Sequence, residues 1–381
     1  MVTPRLVVAK SRHSGSAEFT LLKIYYTRRV EMLKRLIGFV VVGLMAVWGI
    51  GHGAQTVGIS PEGIRADGMG GAYTGVAEGP EGVFYNPAGL TKMKNSLLVL
   101  PGLYLKGNQD AVTYITNIKA YDKLTKADCE KLKDLKSAAK GFAYVGLFNP
   151  SWALNVYGIR NAFLLQADLA GAMYSETWSY GTDVGMMLTI AGKLPKLIPI
   201  LDFSYGVNLK YVYRMLEEYK VDVNCTTNNV TSKSPSNVSP QHGWGVDAGL
   251  NCKVLGFVDV GVMFKDLYSK IGSDTVPTNM TIGASTKLLN FITLSMDFAD
   301  LVSSQGDFLD KVKIGAEISL FGFIKARGGL SQKYPTLGAG ITFLFLNVDY
   351  AFMGEKLIGQ DGQTLSQNPI GSHAISCSLI F

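Results

Sequence analysis

The feature that most constrains this chain is a period-two alternation of apolar and polar residues, repeated in stretches of roughly ten residues from residue 178 onward. Between Leu201 and Met215 the odd positions are Leu201, Phe203, Tyr205, Val207, Leu209, Tyr211, Tyr213 and Met215. The even positions are Asp202, Ser204, Gly206, Asn208, Lys210, Val212 and Arg214. The pattern recurs with Trp244 to Cys252 against Gly245 to Lys253, with Val258 to Phe264 against Asp259 to Lys265, and with Val312 to Leu320 against Lys311 to Ser319. A soluble sandwich alternates as well. What separates the two is that charge is missing from one face of every such stretch, and a charge at the bilayer midplane costs about 2–4 kcal/mol.

Composition agrees. Charged residues make up 17% and hydrophobic residues 47% of the 381 positions, against about a quarter charged in soluble domains. No apolar run of helix-spanning length exists outside the N-terminal region, so the remaining way to satisfy a backbone in lipid is a closed β-barrel. The expected fold is therefore all-β, a transmembrane antiparallel barrel. Fourteen strands are expected, at about 96–105, 141–148, 151–172, 178–193, 200–216, 243–254, 256–266, 278–288, 290–300, 311–320, 322–331, 335–345, 346–353 and 372–381. The third is overlong and is expected to kink or split at Gly158. Short turns alternate with polar loops at 106–140, 217–242, 267–277, 301–310 and 354–371, which places the long loops outside and both termini in the periplasm.

The net charge of +6 carries no message about nucleic acid, because residues 1–54 hold eight basic and two acidic residues and the remainder balances. Met32 is followed by Lys34, Arg35, an apolar run Leu36 to Ile50 and the small stretch Gly51 to Ala54, the layout of a secretory signal peptide. Residues 1–31 read as an upstream extension from a misassigned start, 32–54 as the signal peptide, 55–95 as an N-terminal plug and 96–381 as the barrel. The last strand puts His373, Ile375, Cys377, Leu379 and the terminal Phe381 on one face. This resembles the C-terminal signature that the barrel assembly machinery recognises in bacterial outer-membrane proteins. The expected location is the bacterial outer membrane, with its lipid and lipopolysaccharide as partners.

Before the first strand lie Gly68-Met69-Gly70-Gly71-Ala72-Tyr73 and Val83-Phe84-Tyr85-Asn86-Pro87-Ala88-Gly89-Leu90. These small, bent segments suit close packing of backbone on a wall. They resemble the N-terminal region of the FadL-like long-chain fatty-acid transporter superfamily, which includes the PorV-like outer-membrane proteins. The close match covers some 25 residues. The resemblance implies a plug inside a fourteen-stranded barrel, with Gly70 and Gly71 as its packed turn and Asn86, Pro87 and Ala88 as its signature, acting as structure or as gate. It also implies a passive channel for hydrophobic or amphipathic small molecules. A PorV-like docking or assembly partner for secretion or surface proteins, without transport, is the alternative.

The inward positions Asp183, Asp202, Lys210, Arg214, Asp247, Lys253, Asp259, Asp297, Glu317, Lys325, Arg327 and Asp349 make a polar lumen with few apolar members beyond Met187 and Met263. An apolar ligand would then lean on plug residues Ile64, Met69, Phe84 and Tyr85, with Arg65 beside them. Inward charge can equally fasten the plug through Arg65, Asp67, Glu78 and Glu81, and that role is the better supported. A wall gap near Gly158 would favour transport.

In the first loop Val112, Ile115, Ile118, Tyr121 and Leu124 recur every three residues. After Thr125, with Asp128 as capping-box partner, Leu132 and Leu135 continue an amphipathic helix with Lys119, Lys123, Lys126, Lys131, Lys133, Lys136 and Lys140 on its polar side. Such a helix can cap the barrel mouth as a capture site, bind lipopolysaccharide or simply pack on the rim. Cys129 and Cys225 fall in external loops and can pair, while Cys252 and Cys377 read as lipid-facing. Two histidines, His242 in an external loop and His373, lack partners for nucleophilic chemistry. No Cys/His spacing suits a metal. No enzyme activity, cofactor, metal or nucleic-acid partner is expected.

Overall fold

The computed structural model describes residues 61–381 apart from 119–120, 197, 228, 233–239, 303–306 and 356–369. The expected extension 1–31, the signal peptide 32–54, residues 55–60 and Lys119 lie outside the described residues.

The strands are β1 (Leu97–Asn108), β2 (Ala138–Asn149), β3 (Trp152–Ala170), β4 (Met173–Lys193), β5 (Leu201–Asn224), β6 (Asn229–Ser232), β7 (Gln241–Val254), β8 (Val258–Ile271), β9 (Asp274–Thr275), β10 (Asn279–Leu288), β11 (Ile292–Phe298), β12 (Val312–Leu320), β13 (Ile324–Ser331), β14 (Tyr334–Phe343), β15 (Leu346–Glu355) and β16 (Ile370–Ile380). Each long strand pairs antiparallel with its sequence neighbours. The ring closes where β16 meets β1, with Leu103 opposite Cys377. The short β6 and β9 are side ribbons on β5 and β8, and β8 pairs directly with β10. Removing these two leaves a closed fourteen-stranded antiparallel barrel, the fold that the alternation demands.

Its outer surface is the apolar set. Leu103, Leu105, Leu147, Val156, Val184, Met186, Ile190, Leu209, Ile314, Leu337 and Ile375 all stand exposed on strands. At the short-turn end the exposed Trp152, Phe257, Phe291, Phe321, Phe345 and Phe381 form an aromatic girdle, the interfacial belt expected where rings meet headgroups. At the other end Tyr211 and Tyr350 hydrogen-bond the outward-facing His242 and His373 at 2.6 and 2.8 Å. Several short turns place bulky residues in left-handed backbone: Leu255 has φ 52°, Leu289 φ 50° and Phe321 φ 52°. Non-glycine residues there cost about 1–2 kcal/mol each, which tight hairpin closure with an apolar tip at the membrane edge offsets.

Strands β3, β4 and β5 run to 19, 21 and 24 residues, about twice the 9–11 needed to cross a bilayer at the usual tilt. Their far ends therefore rise above the rim as a wall. Loop 109–137 packs on that wall as two helices, Gln109–Asn117 and Lys126–Leu132, joined through a 3-10 turn at Tyr121–Lys123.

Three expectations need correction. Strand β3 is neither split nor kinked at Gly158: that residue pairs with Ala143 on one side and Val184 on the other, and the register shifts only between Leu164 and Gln166. No wall gap opens there, because the ladder hydrogen bonds continue through the glycine. The amphipathic helix is two pieces, since the backbone leaves helical geometry at Ile118, and Lys140 belongs to β2, where it meets Glu62 of the plug at 3.0 Å. His242 lies within β7 rather than in a loop.

Candidate functional site

Residues 61–95 lie against the inward face of the barrel. A helix at Ile64–Gly68 and 3-10 turns at Pro80–Phe84 and Pro87–Lys92 punctuate an otherwise irregular path. Proline at the first helical position needs no N–H partner and presets φ, so each Pro starts its turn. Asn86 caps the second turn by accepting the Ala88 N–H at 3.1 Å. Its amide then donates to the Leu250 carbonyl of β7 at 3.0 Å and to Thr74 O at 3.3 Å. One side chain thus starts a turn, ties two plug segments together and pins both to the wall.

Further ties run the length of the plug. Asn208 of β5 donates to Val83 O at 3.0 Å, and Thr336 of β14 donates to Gly68 O at 3.2 Å. Asp297 of β11 accepts the Tyr73 and Thr74 N–H groups at 3.0 and 2.8 Å. The Arg65 guanidinium grips Glu317 of β12 with bonds of 2.8 and 2.6 Å and Glu78 at 2.7 Å. Lys92 meets Asp259 of β8 at 3.4 Å.

The wall supplies room for this by omitting side chains. A Cβ on Gly206 would lie 2.4 Å from the Pro87 carbonyl carbon, on Gly249 2.2 Å from Asn86 Oδ1, and on Gly315 2.4 Å from Met69 O. A Cβ on Gly261 would lie 2.4 Å from Thr74 O, while on Gly283 and Gly329 it would crowd wall atoms first and then Thr74 Cβ at 2.9 Å and Met69 C at 2.7 Å. The plug's own Gly70, at φ +66°, comes within 2.5 Å of Leu330 O by the same measure. Sequence reasoning missed this track of wall glycines. The signal was present, as glycine recurring at inward positions of β5, β7, β8, β10, β12 and β13, strands that have no turn there to explain it.

Most of the charges expected to point inward do so, and most of them pair with one another. Lys210 bonds Asp247 and Asp266 at 2.6 and 2.7 Å, Arg214 forks onto Asp183 at 2.7 Å, and Arg327 bridges Glu317 and Asp349 at 2.7 and 2.6 Å. Buried charges require such partners. In the plug, burial pushes the Glu81 carboxyl up to about 7, with the Asp349 charge adding to it against Arg327 and Arg65. Burial likewise raises Asp67 to about 6, opposed by Lys106 and assisted by Glu62.

The lumen is not polar throughout, which corrects the expectation that Met187 and Met263 were its main apolar members. The inner faces of β1, β2 and β3 carry buried Tyr104, Phe142, Tyr144, Phe148, Tyr157 and Ile159. Phe84 of the plug sets its edge against Phe142 and Tyr144 at centroid distances of 6.0 and 5.9 Å. This face escaped notice because both faces of β1 and β2 are apolar, so alternation there is faint. Within it the amide of Asn155 and the hydroxyl of Tyr157, both nearly fully buried, have no hydrogen-bond partner among the described residues.

The residues singled out in the sequence fall into separate groups. Ile64 and Phe84 join the aromatic face, with Tyr85 packed on it. Met69 packs apart with Ala66, Tyr73 and Val76, and Arg65 serves in the ion-pair fork. Gly70, Gly71, Asn86, Pro87 and Ala88 form contacts between plug and wall.

At the rim, loop 109–137 and the raised ends of β3, β4 and β5 enclose a second apolar cluster of Tyr114, Leu124, Leu132, Leu164, Tyr174 and Trp178. A disulfide joins Cys129 of the loop to Cys225 just past β5. The expected Thr125/Asp128 capping box is formed. A cavity of about 400 Å³ opens between the loop and the wall, lined chiefly by Tyr114, Ile115, Ile118, Tyr121, Trp178 and Tyr180. Among the described residues no cluster suited to a metal ion occurs.

Fold and site together define a transmembrane β-barrel whose lumen holds an N-terminal plug. No protein-family model and no curated protein matches the chain. Among solved structures it is similar to the Pseudomonas putida toluene transporter TodX, at 10% identity and TM-score 0.48, over 86% of this chain and 98% of that one. It is also similar to the Ralstonia pickettii toluene transporter TbuX (12% identity, TM-score 0.41, 85% and 98% covered) and to a Pseudomonas aeruginosa FadL homologue (12%, 0.40, 86% and 99%). The strand count and closure rest on the register described above.

Proposed function

We propose that this chain is an outer-membrane channel that passes small hydrophobic or amphipathic molecules through a plugged lumen. The observation that carries the reading is the aromatic inner face of β1 to β3, closed by Phe84 of the plug. A protein needing only a rigid plug has ion pairs enough on the opposite side. A continuous aromatic face with two unpartnered polar groups, Asn155 and Tyr157, suits an apolar body carrying one polar group. Ile64, Phe84 and Tyr85 supply the plug's share of that surface. Movement of the segment held by Gly70, Gly71, Asn86, Pro87 and Ala88 opens the path. The docking alternative has no observation in its favour.

The test is uptake of radiolabelled toluene and of a radiolabelled long-chain fatty acid by cells producing the protein. Phe142→Arg, on the aromatic face, lowers uptake at least tenfold while the amount of assembled barrel, read from heat-modifiable gel mobility, stays constant. Equal uptake by cells with and without the protein refutes the reading.

A further inference from the structure

Glu176, near the outer end of β4, is wholly buried, and the donors that hold its carboxylate among the described residues are neutral. The hydroxyls of Tyr114 (3.0 and 3.1 Å), Tyr121 and Tyr174 (2.8 Å) and the indole N–H of Trp178 (3.1 Å) all donate to it. Among the described residues no Lys, Arg or His pairs with it. A buried carboxylate with no counter-cation among the described residues is an expensive arrangement to keep for packing alone.

Three of those donors, Tyr114, Tyr121 and Trp178, also line the 400 Å³ rim cavity. Each gives its polar hydrogen to Glu176 while bordering the cavity. Tyr114 meets Trp178 edge to face at 5.0 Å, and Trp178 stacks on Tyr180 at 5.9 Å. A ring that donates a hydrogen bond to an anion gains electron density on its face, which strengthens attraction for a cation above it. Tyr180 already holds one, since the Arg160 guanidinium sits 4.9 Å from its centroid. A carboxylate ligand here would instead be repelled by Glu176, and a neutral one would gain burial alone.

We propose that the rim cavity is a binding site for a small organic cation of the quaternary or alkyl ammonium class, boxed by Tyr114, Tyr121 and Trp178 with Tyr180 stacked on their flank, and with Glu176 as the charge behind the rings. The inference rests on the channel reading only in placing the rim at the outer surface. Binding is measured on purified protein, so it stands or falls separately from uptake.

The experiment is calorimetric titration of the full-length protein in a maltoside detergent with choline, with its neutral carbon isostere 3,3-dimethylbutan-1-ol, and with 4,4-dimethylpentanoate. Choline binds at least tenfold more tightly than either. Glu176→Gln abolishes that preference while the Cys129–Cys225 bond and the melting temperature are retained. Should that variant fail to fold, Tyr180→Leu serves, because Tyr180 makes no bond to Glu176: it weakens choline and leaves the alcohol unchanged. Equal affinity for choline and the alcohol, tighter binding of the carboxylate, or no binding of choline overturns the proposal. Loss of toluene uptake with choline binding intact counts against the channel alone.

Discussion

Arg65 of the plug and Glu317 of β12, 252 residues apart in the chain, share two hydrogen bonds of 2.6 and 2.8 Å. Glu317 also accepts from Arg327 at 2.7 Å, so one carboxylate fastens the plug and neutralises a wall arginine. Breaking a buried pair by removing one partner costs about 3–5 kcal/mol. Arg65 keeps Glu78 and Arg327 keeps Asp349, so Glu317→Gln falls at the lower end of that range. Hydrogen exchange of residues 63–78 accelerates in this variant, while exchange in β1 to β5 does not change. Unchanged exchange in the plug would show that Glu317 does not hold it.

The wall glycines give a steric prediction. Gly206→Val forces a side chain into the Pro87 carbonyl, and overpacking of this kind costs about 1–3 kcal/mol or more. The barrel assembles with its plug displaced, seen as higher ion conductance in planar bilayers. Gly158→Ala is the control, since nothing lies within 4 Å of its added Cβ, and its conductance matches that of the native chain.

The disulfide separates loop from barrel. Cys129 and Cys225 are 96 positions apart, and a bond closing a loop of that length contributes about 2–5 kcal/mol. With both replaced by serine, trypsin cuts at the exposed Lys123, Lys126 and Lys131 of the loop. The barrel keeps its heat-modifiable mobility, because its ladder does not pass through the bond.

Plug seating depends on pH through Glu81. Its carboxyl, raised by burial to about 7, is neutral in the seated plug and charged at the same pH when released. The native state therefore binds more protons between the ordinary carboxylate value and about 7. Stabilisation is complete at low pH and is lost as pH rises through about 7. Protection of residues 61–95, taken as the exchange rate relative to the intrinsic rate of the same amides at each pH, is lower at pH 8 than at pH 5.5, and Glu81→Gln flattens the difference. The opposite slope would reject this assignment.

Much of the barrel was legible because membrane chemistry leaves few choices. Charge excluded from one side of each stretch marks lipid contact. Short turns alternate with long loops between the strands as expected, and Leu98 and Phe381 exchange backbone bonds of 2.8 and 2.9 Å where an aromatic C-terminus was expected to end the last strand. The inward charges were legible for the same reason, since period two assigns a face to each residue of an alternating strand.

What the sequence determined by itself was thus the strand set, the face of each residue in the strands that alternate, and the Thr125/Asp128 cap, all of which depend on neighbours within a few positions. The tertiary structure alone decided which charges meet, that six wall glycines form the plug's bed, that β1 to β3 turn an aromatic face inward, and that Glu176 gathers four neutral donors from the loop and β4. Those relationships join residues as far apart as Arg65 and Glu317, 252 positions along the chain, and farther. They follow from ring closure and strand stagger, which place distant side chains within a few ångströms of each other and which local periodicity does not encode.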